Sequence, residues 1–462
     1  MRSRKTVLSA LTITQLRRLA TLCNVLGRGS KADLISRIAA KKRVALTSLL
    51  DALTRAELRE IADRLALSRN GTTKDDLVAV ISGDRSRALR SQIVKSLRHQ
   101  GFRISDGRIS LPKEIDKDQV RALHVEAVEH KRAKSAPSLA KKEEELLTWI
   151  ANGNEIDPHK LRPVLIEVTP DSIEERLFRY VSLHWTIPVS SGYGRRLRYI
   201  VVDAYNQKLM GLIGLGDPVF ALAPRDAWIG WNSQQRRVGL HHVLDAFVLG
   251  AVPPYSQLLC GKLIAMLAAS RDVTSRFCEK YGGRQAIISG KQRTGEVALI
   301  TTTSALGRSS VYNRIKYHNE PLFVPVGFTR GSGEFQFLNG LYEEMAEFAD
   351  ARLIPTAKNE LWGSGFRNRR EVVKKCLQAT GLHQDLLYHG VQRQVFVVPV
   401  ASNSAAFLRG EEPCLSNHDM DSTKIFAWFR DRWLLKRAAN HVDYKAFDRD
   451  SYKLWHEIEN TP

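Results

Sequence analysis

Hydrophobic residues recur at helical spacing near the start of the chain, and the same pattern occurs twice. LTITQLRRLATLCNVLGRGSKADLISRI at 11–38 matches LTRAELREIADRLALSRNGTTKDDLVAVI at 53–81, with one residue inserted in the second copy. In each copy, Ser or Thr twice precedes Gln, Glu or Asp by three positions, a capping box that satisfies free amides at a helix start. Each copy is therefore predicted to form a helix, a turn and a second helix. The four boxes are Thr12 with Gln15, Ser30 with Asp33, Thr54 with Glu57, and Thr73 with Asp76.

The helical pattern then gives way to a two-residue alternation. In SRALRSQIVKSLRHQGFRISDGRISLP at 86–112, two RIS triplets flank Asp106-Gly107, a dipeptide that favours a two-residue hairpin turn. A helix followed by a basic hairpin is typical of the end of a winged-helix module, in which Arg103 and Arg108 would contact DNA. A helix with a hairpin is also common in other proteins, and the pattern alone leaves both interpretations open.

Charged residues of both signs fill the segment from 113 to 160. This composition favours a solvated helical linker, whose helix we expect to break near Ala136-Pro137. Beyond the linker, apolar runs at 200–202 and 210–215 flank the turn residues Asn206-Gln207 and predict two antiparallel strands.

The remaining pattern mixes strands and helices. A break at Pro253-Pro254 precedes a predicted helix from about Ser256, and EVALITTTS at 296–304 predicts a strand. RQVFVVPV at 393–400 predicts a buried strand. Helices are predicted at 337–354, 368–382 and 422–440. The helix at 422–440 carries an apolar stripe that either closes the core or docks a partner.

Charge and composition narrow the class of partner. The 462 residues carry a net charge of +21, and 43% are hydrophobic, which is enough to build real cores. Residues 1–110 hold 23 Lys and Arg against 9 Asp and Glu, so +14 of the excess lies there. Such an excess favours a polyanionic partner, with nucleic acid preferred over a membrane.

Other features point to a cytoplasmic protein without a metal site. No apolar run reaches the roughly 18 residues that a membrane span needs, and the first residues lack a signal-peptide pattern. The five cysteines are scattered, which fits reduced thiols and gives no metal-ligand spacing. His241 and His242 are adjacent and are expected to point apart, so no metal ligands are predicted there.

The block DPVFALAPRDAWIGW at 217–231 concentrates charge, tryptophan and glycine in the middle of the chain. In a functional interpretation, the rings stack on a nucleotide base and the arginines contact phosphates. In a structural interpretation, the tryptophans belong to the core and the carboxylate satisfies buried backbone. The residues of the functional interpretation are Arg225, Trp228, Trp231, Arg236 and Arg237.

Two side chains are candidates for catalysis. Asp226 lies beside tryptophans, where a carboxylate can have a raised pKa and act in proton transfer. Tyr312 follows a predicted strand and lies among arginines, where it either touches a base edge or simply finishes a loop.

The duplicated segment resembles the SAP motif, a small helical DNA-binding module. Its Leu-Thr start, its Leu-Arg pair and the Gly-x-Lys-x-x-Leu-type second helix carry the resemblance, which implies duplex DNA binding without strong sequence preference. Phosphate contacts position a protein on DNA but do not read its sequence. A helical pair that docks protein is the other interpretation. The predicted phosphate contacts are Arg17, Arg18, Arg28, Lys31, Arg37, Arg59, Arg69 and Lys74.

Several separated blocks between about 161 and 318 resemble the DruA family of Druantia anti-phage defence proteins. In chain order they are LRYIVVD, GLIGLGDPVF, LAPRDAWIGW, VPPYSQLLCGKLIAMLA and TTTSALGRSSVYNRI. LLYHGVQRQVFVVPVASN at 386–403 is also similar to longer members. The resemblance implies action beside other Druantia-type defence proteins, including a large helicase.

The order of the central elements also resembles the GNAT acetyltransferase fold, one branch of which acylates DNA bases. In that fold the strand before the long central helix splays from its neighbour, and the helix start binds the coenzyme A pyrophosphate. The resemblance implies acetyl-coenzyme A as a cofactor, with Gly261 and Lys262 nearest its phosphates. The family's glycines are out of register with Gln257 and Cys260 here, so a fold that has lost its cofactor is the other interpretation.

The sequence therefore predicts a multidomain α+β protein. We expect SAP-like helical repeats at 1–84, a winged-helix element at 85–112, a charged helical linker at 113–160, a GNAT-like domain with a mixed sheet at 161–335, and a mostly helical α+β region at 336–462. The expected function is DNA binding in anti-phage defence, on duplex DNA, ends or single strands, together with a partner helicase. A DNA-modifying acyltransferase that uses an acyl-coenzyme A and a metal-dependent nuclease are the alternatives.

Overall fold

The computed structural model of the chain describes residues 3–41, 43–67, 73–111, 115–190, 192, 194–285, 290, 292–356, 362 and 366–455. The chain forms two compact units, each made of two separate stretches of sequence. The first unit contains Met1–Ser110 and Gln336–Leu387, and the second contains Leu111–Phe335 and Tyr388–Pro462.

The described residues form twenty α-helices and eleven strands. The helices are α1 Arg4–Ser9, α2 Ile13–Leu22, α3 Lys31–Ala40, α4 Leu46–Asp51, α5 Arg55–Arg64, α6 Lys74–Ser82, α7 Arg85–His99, α8 Lys117–Ala122, α9 Val125–Leu139, α10 Glu143–Leu147, α11 Ile173–Val181, α12 Ala223–Ile229, α13 Ser233–Gly239, α14 Cys260–Leu267, α15 Arg271–Tyr281, α16 Leu341–Arg352, α17 Phe366–Ala379, α18 Ser404–Arg409, α19 Ser422–Phe429 and α20 Leu435–Asn440. The strands are β1 Arg103–Ser105, β2 Arg108–Ser110, β3 Pro163–Glu167, β4 Leu197–Asp203, β5 Lys208–Gly216, β6 Val243–Ala251, β7 Leu299–Thr303, β8 Lys316–Tyr317, β9 Glu320–Pro321, β10 Val324–Phe328 and β11 Gln394–Pro399.

The sequence repeat forms a pair of three-helix modules, α1 to α3 and α4 to α6. All four predicted capping boxes are present, each with both hydrogen bonds of the motif. The prediction of two helices per copy was incomplete, because a short helix precedes each box and belongs to the repeat. Leu8 and Leu50 in these short helices are 1% exposed and join the apolar core that the two modules share. The unit of duplication is therefore larger than the matched sequence.

The predicted helix and hairpin at 86–112 are confirmed as α7, β1 and β2. Asp106 and Gly107 both have positive φ, at 49° and 72°, as a type I′ turn requires. Within the first unit, α7 packs against α16, and the Gln100 amide donates to the Gln336 carbonyl at 2.8 Å. Residues from the C-terminal third thus complete the core around the helix and hairpin.

The second unit is built on a seven-stranded sheet in the order β10-β11-β7-β6-β5-β4-β3. Successive side chains of a strand point to opposite faces of the sheet, and in β4 and β5 both sets are buried because helices cover both faces. On β4, Tyr199 and Val201 pack with α14 and α15, while Ile200 and Val202 pack with α11. The predicted antiparallel pair is confirmed as β4 and β5, whose turn places Gln207 at a φ of 59°.

The β6 and β7 strands run parallel. Among the described residues, the other neighbouring strands of this sheet pair antiparallel. The pairing of β6 with β7 covers only 243–245 against 299–301, although β6 extends to Ala251. The two strands therefore separate beyond Asp245. Parallel neighbours need a long crossover connection, which α14 and α15 supply.

The expected linker at 113–160 is helical over α8, α9 and α10, as predicted, but it belongs to the second unit and buries several side chains there. Pro137 lies inside α9, which ends two residues later at Leu139 and continues as a 3₁₀ turn over Ala140–Lys142. Leu139 and Leu146 are at most 1% exposed, and Glu143 is 4% exposed. The Glu143 carboxylate accepts hydrogen bonds from the Tyr180 hydroxyl at 2.7 Å and from backbone amides. These partners are distant in sequence, so the local charge pattern could not predict that Glu143 is buried.

The expected C-terminal region at 336–462 is divided between the two units. Strand β11 enters the sheet between β10 and β7 and pairs with both, which places the last part of the chain in the second unit. In the described part of the chain, no helix combines the length and apolar character that crossing a membrane requires.

His124 is a buried histidine held in its neutral form. Its Nδ1 lies 2.7 Å from the Val120 carbonyl, and its Nε2 lies 3.2 Å from Nη2 of Arg393. Arginine can only donate, so Nε2 accepts and the proton is on Nδ1. Burial, together with the nearby Arg393 charge, lowers the pKa of His124 from 6.5 to about 4.

We predict that His124 makes the second unit less stable in mild acid. The unfolded chain takes up a proton at His124 below pH 6.5 and the folded chain does not until about pH 4. The stabilisation is therefore complete above pH 6.5 and is lost as pH falls toward 4. Between pH 7 and pH 5 the loss is about 2 kcal/mol. Urea unfolding at both pH values should show a shallower pH dependence for His124→Gln than for the natural chain, and equal slopes would contradict the assignment.

Candidate functional site

The block at 217–231 forms a tight polar network around Asp226 on α12. The Asp226 carboxylate accepts from Arg225 Nε at 2.9 Å and Nη2 at 2.7 Å, and from Trp231 Nε1 and Arg236 Nη1, both at 3.1 Å. The Leu222 amide donates to its second oxygen at 3.0 Å. Pro224 lies in the first turn of the helix, and Gly230 ends it at a φ of 76°, which brings Trp231 back toward the carboxylate.

Arg225 is committed to the inside of the fold. Its side chain is 0% exposed, and its guanidinium also donates to the carbonyls of Val219 at 2.9 Å and Phe220 at 3.2 Å. The structure does not support the predicted phosphate contact, because this cation is neutralised by Asp226 and shielded from solvent. Trp231 is likewise 8% exposed and packs with Ile229, which favours the structural interpretation over base stacking.

The other predicted contacts of the block differ in exposure. Arg236 pairs with Asp226 and lies 4.7 Å from the Phe220 ring centre, so its charge is also engaged internally. Trp228 is half-buried, and Arg237 is exposed with no acidic partner among the described residues. Arg237 and Trp228 remain candidate DNA contacts.

Tyr312 packs as an aromatic core residue. Its ring stacks on Phe323 with centroids 4.9 Å apart and meets the edge of Phe396 at 5.4 Å. Burial raises the pKa of Tyr312 to about 12, so the phenol keeps its proton at neutral pH. Neither the packing nor the pKa supports the predicted catalytic role.

Two of the predicted phosphate contacts instead fasten the N-terminal modules. Lys31 Nζ donates to the Ser9 carbonyl at 2.9 Å, and Lys74 Nζ donates to the Asp51 carbonyl at 2.6 Å. Ser9 and Asp51 end the first helix of their modules, so each lysine binds the negative end of that helix. Lys31 and Lys74 occupy equivalent positions of the repeat and make the same structural contact in each module.

The remaining predicted cations of the first unit fall into two groups. Arg18 pairs with Glu57 at 2.6 Å, Arg108 pairs with Asp385 at 2.8 Å, and Arg37 donates to the carbonyls of a loop. Arg69 lies outside the described residues. The cations that are exposed and have no acidic partner among the described residues are Arg17, Arg28, Arg59 and Arg103.

Asp245 is a candidate catalytic carboxylate that the sequence interpretation missed. It lies on β6 where the pairing with β7 ends, and the Thr301 hydroxyl is 3.0 Å from its Oδ1. Burial raises the pKa of Asp245 to about 6, close to the range suited to proton transfer at neutral pH. The sequence feature that could have identified Asp245 is its place as the one acidic residue in the apolar segment VLDAFVLGA.

The predicted coenzyme A contacts lie at the start of α14, where the fit is incomplete. A side chain on Gly261 would meet no atom within 4 Å, so a ligand can approach the backbone closely. However, the Lys262 amide already donates to the Leu259 carbonyl at 2.9 Å, and the Lys262 ammonium lies 4.5 Å from the Trp433 ring centre. We therefore derive no chemical step through coenzyme A.

The adjacent histidines differ from expectation. His241 and His242 end a 3₁₀ turn and not a helix or strand, so their rings lie together with centroids 3.9 Å apart. Burial and the charge of the neighbouring ring lower the pKa of His241 to about 4. Across the described residues, no three His, Cys, Asp or Glu side chains gather in a way that would hold a metal ion.

Comparison with known proteins gives a consistent result. The family described as "Druantia protein DruA" matches residues 114–410. A Druantia protein DruA from Escherichia coli (strain UMEA 4076-1) is 37% identical over 375 residues, which covers 80% of this chain and 92% of the relative. No solved structure matches the chain.

The Asp226 network predicts a structural role for this carboxylate. Asp226→Ala removes the carboxylate that is hydrogen-bonded to the buried Arg225 guanidinium and should lower the free energy of unfolding by about 3–5 kcal/mol. Thermal melting of the full chain measures the loss. Asp431→Ala is the matched control, since Asp431 is exposed and pairs with Arg430 at 3.0 Å, and its loss should cost at most about 1 kcal/mol. A melting temperature for Asp226→Ala equal to that of the unsubstituted chain would contradict the structural role.

Proposed function

This chain belongs to the DruA family, whose members are components of Druantia anti-phage defence, and from that premise we propose that it binds DNA. The exposed basic side chains of the first unit supply the contacts. The observation that carries the proposal is the pair Arg17 and Arg59, which occupy equivalent positions on α2 and α5. Both are exposed, and neither has an acidic partner among the described residues.

The charge balance of the N-terminal residues supports a polyanionic ligand. Residues 1–110 contain 23 basic side chains and 9 acidic ones, so most of the bases cannot be neutralised within this stretch. Several of the acids are already used, for example Asp76 by Lys95 and Glu57 by Arg18. A surface with this excess attracts the phosphate backbone and releases condensed counter-ions when it binds.

The proposal includes the kind of DNA and the setting. Contacts of arginine with phosphate position a protein without reading sequence, so duplex DNA of any sequence is the expected ligand of the first unit. The second unit would then handle an end or a single strand, beside other Druantia-type proteins that include a helicase. The cytoplasm is the proposed location, and the five free cysteines are compatible with it.

We predict that Arg17→Ala combined with Arg59→Ala weakens duplex binding and its salt dependence. Each lost phosphate contact should reduce the slope of log affinity against log salt concentration by about 1. Fluorescence anisotropy with a labelled duplex at several salt concentrations measures both quantities. Arg18→Ala is the neighbouring control, because Arg18 is held by Glu57, and its slope should change less. Unchanged affinity and slope in the double variant would refute this assignment.

A second candidate function is favoured by the separation of β6 and β7. A splayed strand before a helix is the feature that the GNAT resemblance implies, and Asp245 lies where the strands part. Its raised pKa suits a proton acceptor in the transfer of an acyl group to a DNA base. The incomplete cofactor fit at Gly261 and Lys262 makes this the alternative to the main proposal.

Calorimetry with acetyl-coenzyme A separates the two candidates. We expect no heat of binding from the full chain, because the amide of Lys262 is already engaged. Micromolar affinity that is lost in a Gly261→Val variant would instead support the acyltransferase. The free energy of unfolding of that variant should be measured alongside as a control for folding.

A further inference from the structure

A group of cations and tryptophans lies where the C-terminal helices meet the start of α14. We call the five residues Lys262, Arg314, Trp428, Arg432 and Trp433 the Trp–cation cluster. Lys262 Nζ lies 4.5 Å from the Trp433 ring centre, and the Arg432 guanidinium lies 5.4 Å from Trp433 and 5.5 Å from Trp428. Cation and ring therefore alternate from Lys262 through Trp433 and Arg432 to Trp428, and the Arg314 charge acts on Lys262.

The cluster concentrates positive charge without internal compensation. Lys262, Arg314 and Arg432 have no acidic partner among the described residues, and the two arginines are exposed. Burial and the charges of both arginines lower the pKa of Lys262. Like charges held together in this way cost free energy unless an anion binds between them.

Neighbouring cations on the same helix behave differently. Arg430 pairs with Asp431 at 3.0 Å, and Lys424 pairs with Asp419. These two cations therefore have acidic partners, whereas the three cations of the cluster have none among the described residues.

The rings are held in place, and each keeps part of its surface exposed. The Trp428 indole donates to the Lys316 carbonyl at 3.0 Å, and both tryptophans are half-buried. The residues from Arg430 to Leu434 form a π-helical segment, an insertion that often marks functional sites. Beside the cluster, Gly261 leaves open space at the start of α14.

We propose that the Trp–cation cluster binds single-stranded DNA, with phosphates on the three cations and unpaired bases on the exposed parts of the two indoles. Alternating aromatic rings and cations are the arrangement that single strands bind without sequence preference. A duplex keeps its bases stacked inside and cannot offer them to the rings. Two indoles on one surface suit successive bases better than the single base of a nucleotide cofactor. This inference rests on the proposed DNA-binding function and names single-stranded DNA as the ligand of the chain's second unit.

The test uses the full chain and two labelled probes, an oligothymidylate strand and a duplex. The variant Lys262→Ala, Arg314→Ala, Arg432→Ala should bind the single strand at least about tenfold more weakly, since three phosphate contacts are lost. Its affinity for the duplex should stay within about twofold, because the first unit supplies those contacts. The matched control Lys424→Ala, Arg430→Ala removes ion-paired cations of the same helix and should leave both affinities unchanged.

A second measurement tests the stacking without changing the protein. An abasic strand keeps the phosphates and loses the bases, so the natural chain should bind it at least about tenfold more weakly than oligothymidylate. Equal affinity for the two strands would overturn the stacking, and an unaffected cluster variant would overturn the site.

The outcomes also separate this inference from the proposed function. Duplex binding that depends on Arg17 and Arg59, without single-strand binding, would overturn the inference alone. Absence of binding to either probe at low salt would overturn the proposed function as well. Acetyl-coenzyme A affinity that disappears in the cluster variant, with single-strand affinity intact, would assign the cluster to a nucleotide cofactor and overturn the inference.

Discussion

The parallel pairing of β6 with β7 determines the arrangement of the second unit. Parallel neighbours cannot be joined by a hairpin, so the chain must cross over through a long connection that packs on the sheet. Here the connection contains α14 and α15, which bury one face of the sheet. Because the pairing stops at Asp245 and Thr301, the strands part beyond them, and the start of α14 follows the longer strand. The carboxylate with the raised pKa and Lys262 at the start of α14 owe their positions to this one pair.

The distribution of counter-ions separates structural charges from available ones. Arg225 and Arg236 share the Asp226 carboxylate in a largely buried network, so both charges are engaged inside the fold. Lys31 and Lys74 are used for helix ends. Cations without an acidic partner among the described residues include those on the repeated modules of the first unit and those of the Trp–cation cluster in the second. Under the proposed function, a polyanion that contacts both would combine phosphate binding with recognition of unpaired bases.

The local elements followed from short-range chemistry. The four capping boxes and the Asp106-Gly107 turn depend only on residues within a few positions of one another, and each is formed as predicted. The prediction for 113–160 failed for the opposite reason. A charge-rich pattern indicates solvent when read locally, but Glu143 is buried by partners more than thirty residues away.

The sequence by itself determined the family, the excess of positive charge and the duplicated helical modules, because identity, composition and helix starts are properties of the chain. Only the tertiary structure decided which charged residues are available. Whether an arginine meets a phosphate or an internal carboxylate depends on neighbours brought together by folding, as the burial of Arg225 and the exposure of Arg432 demonstrate. The same holds for Asp245, whose pKa is raised by burial within a sheet that distant strands complete.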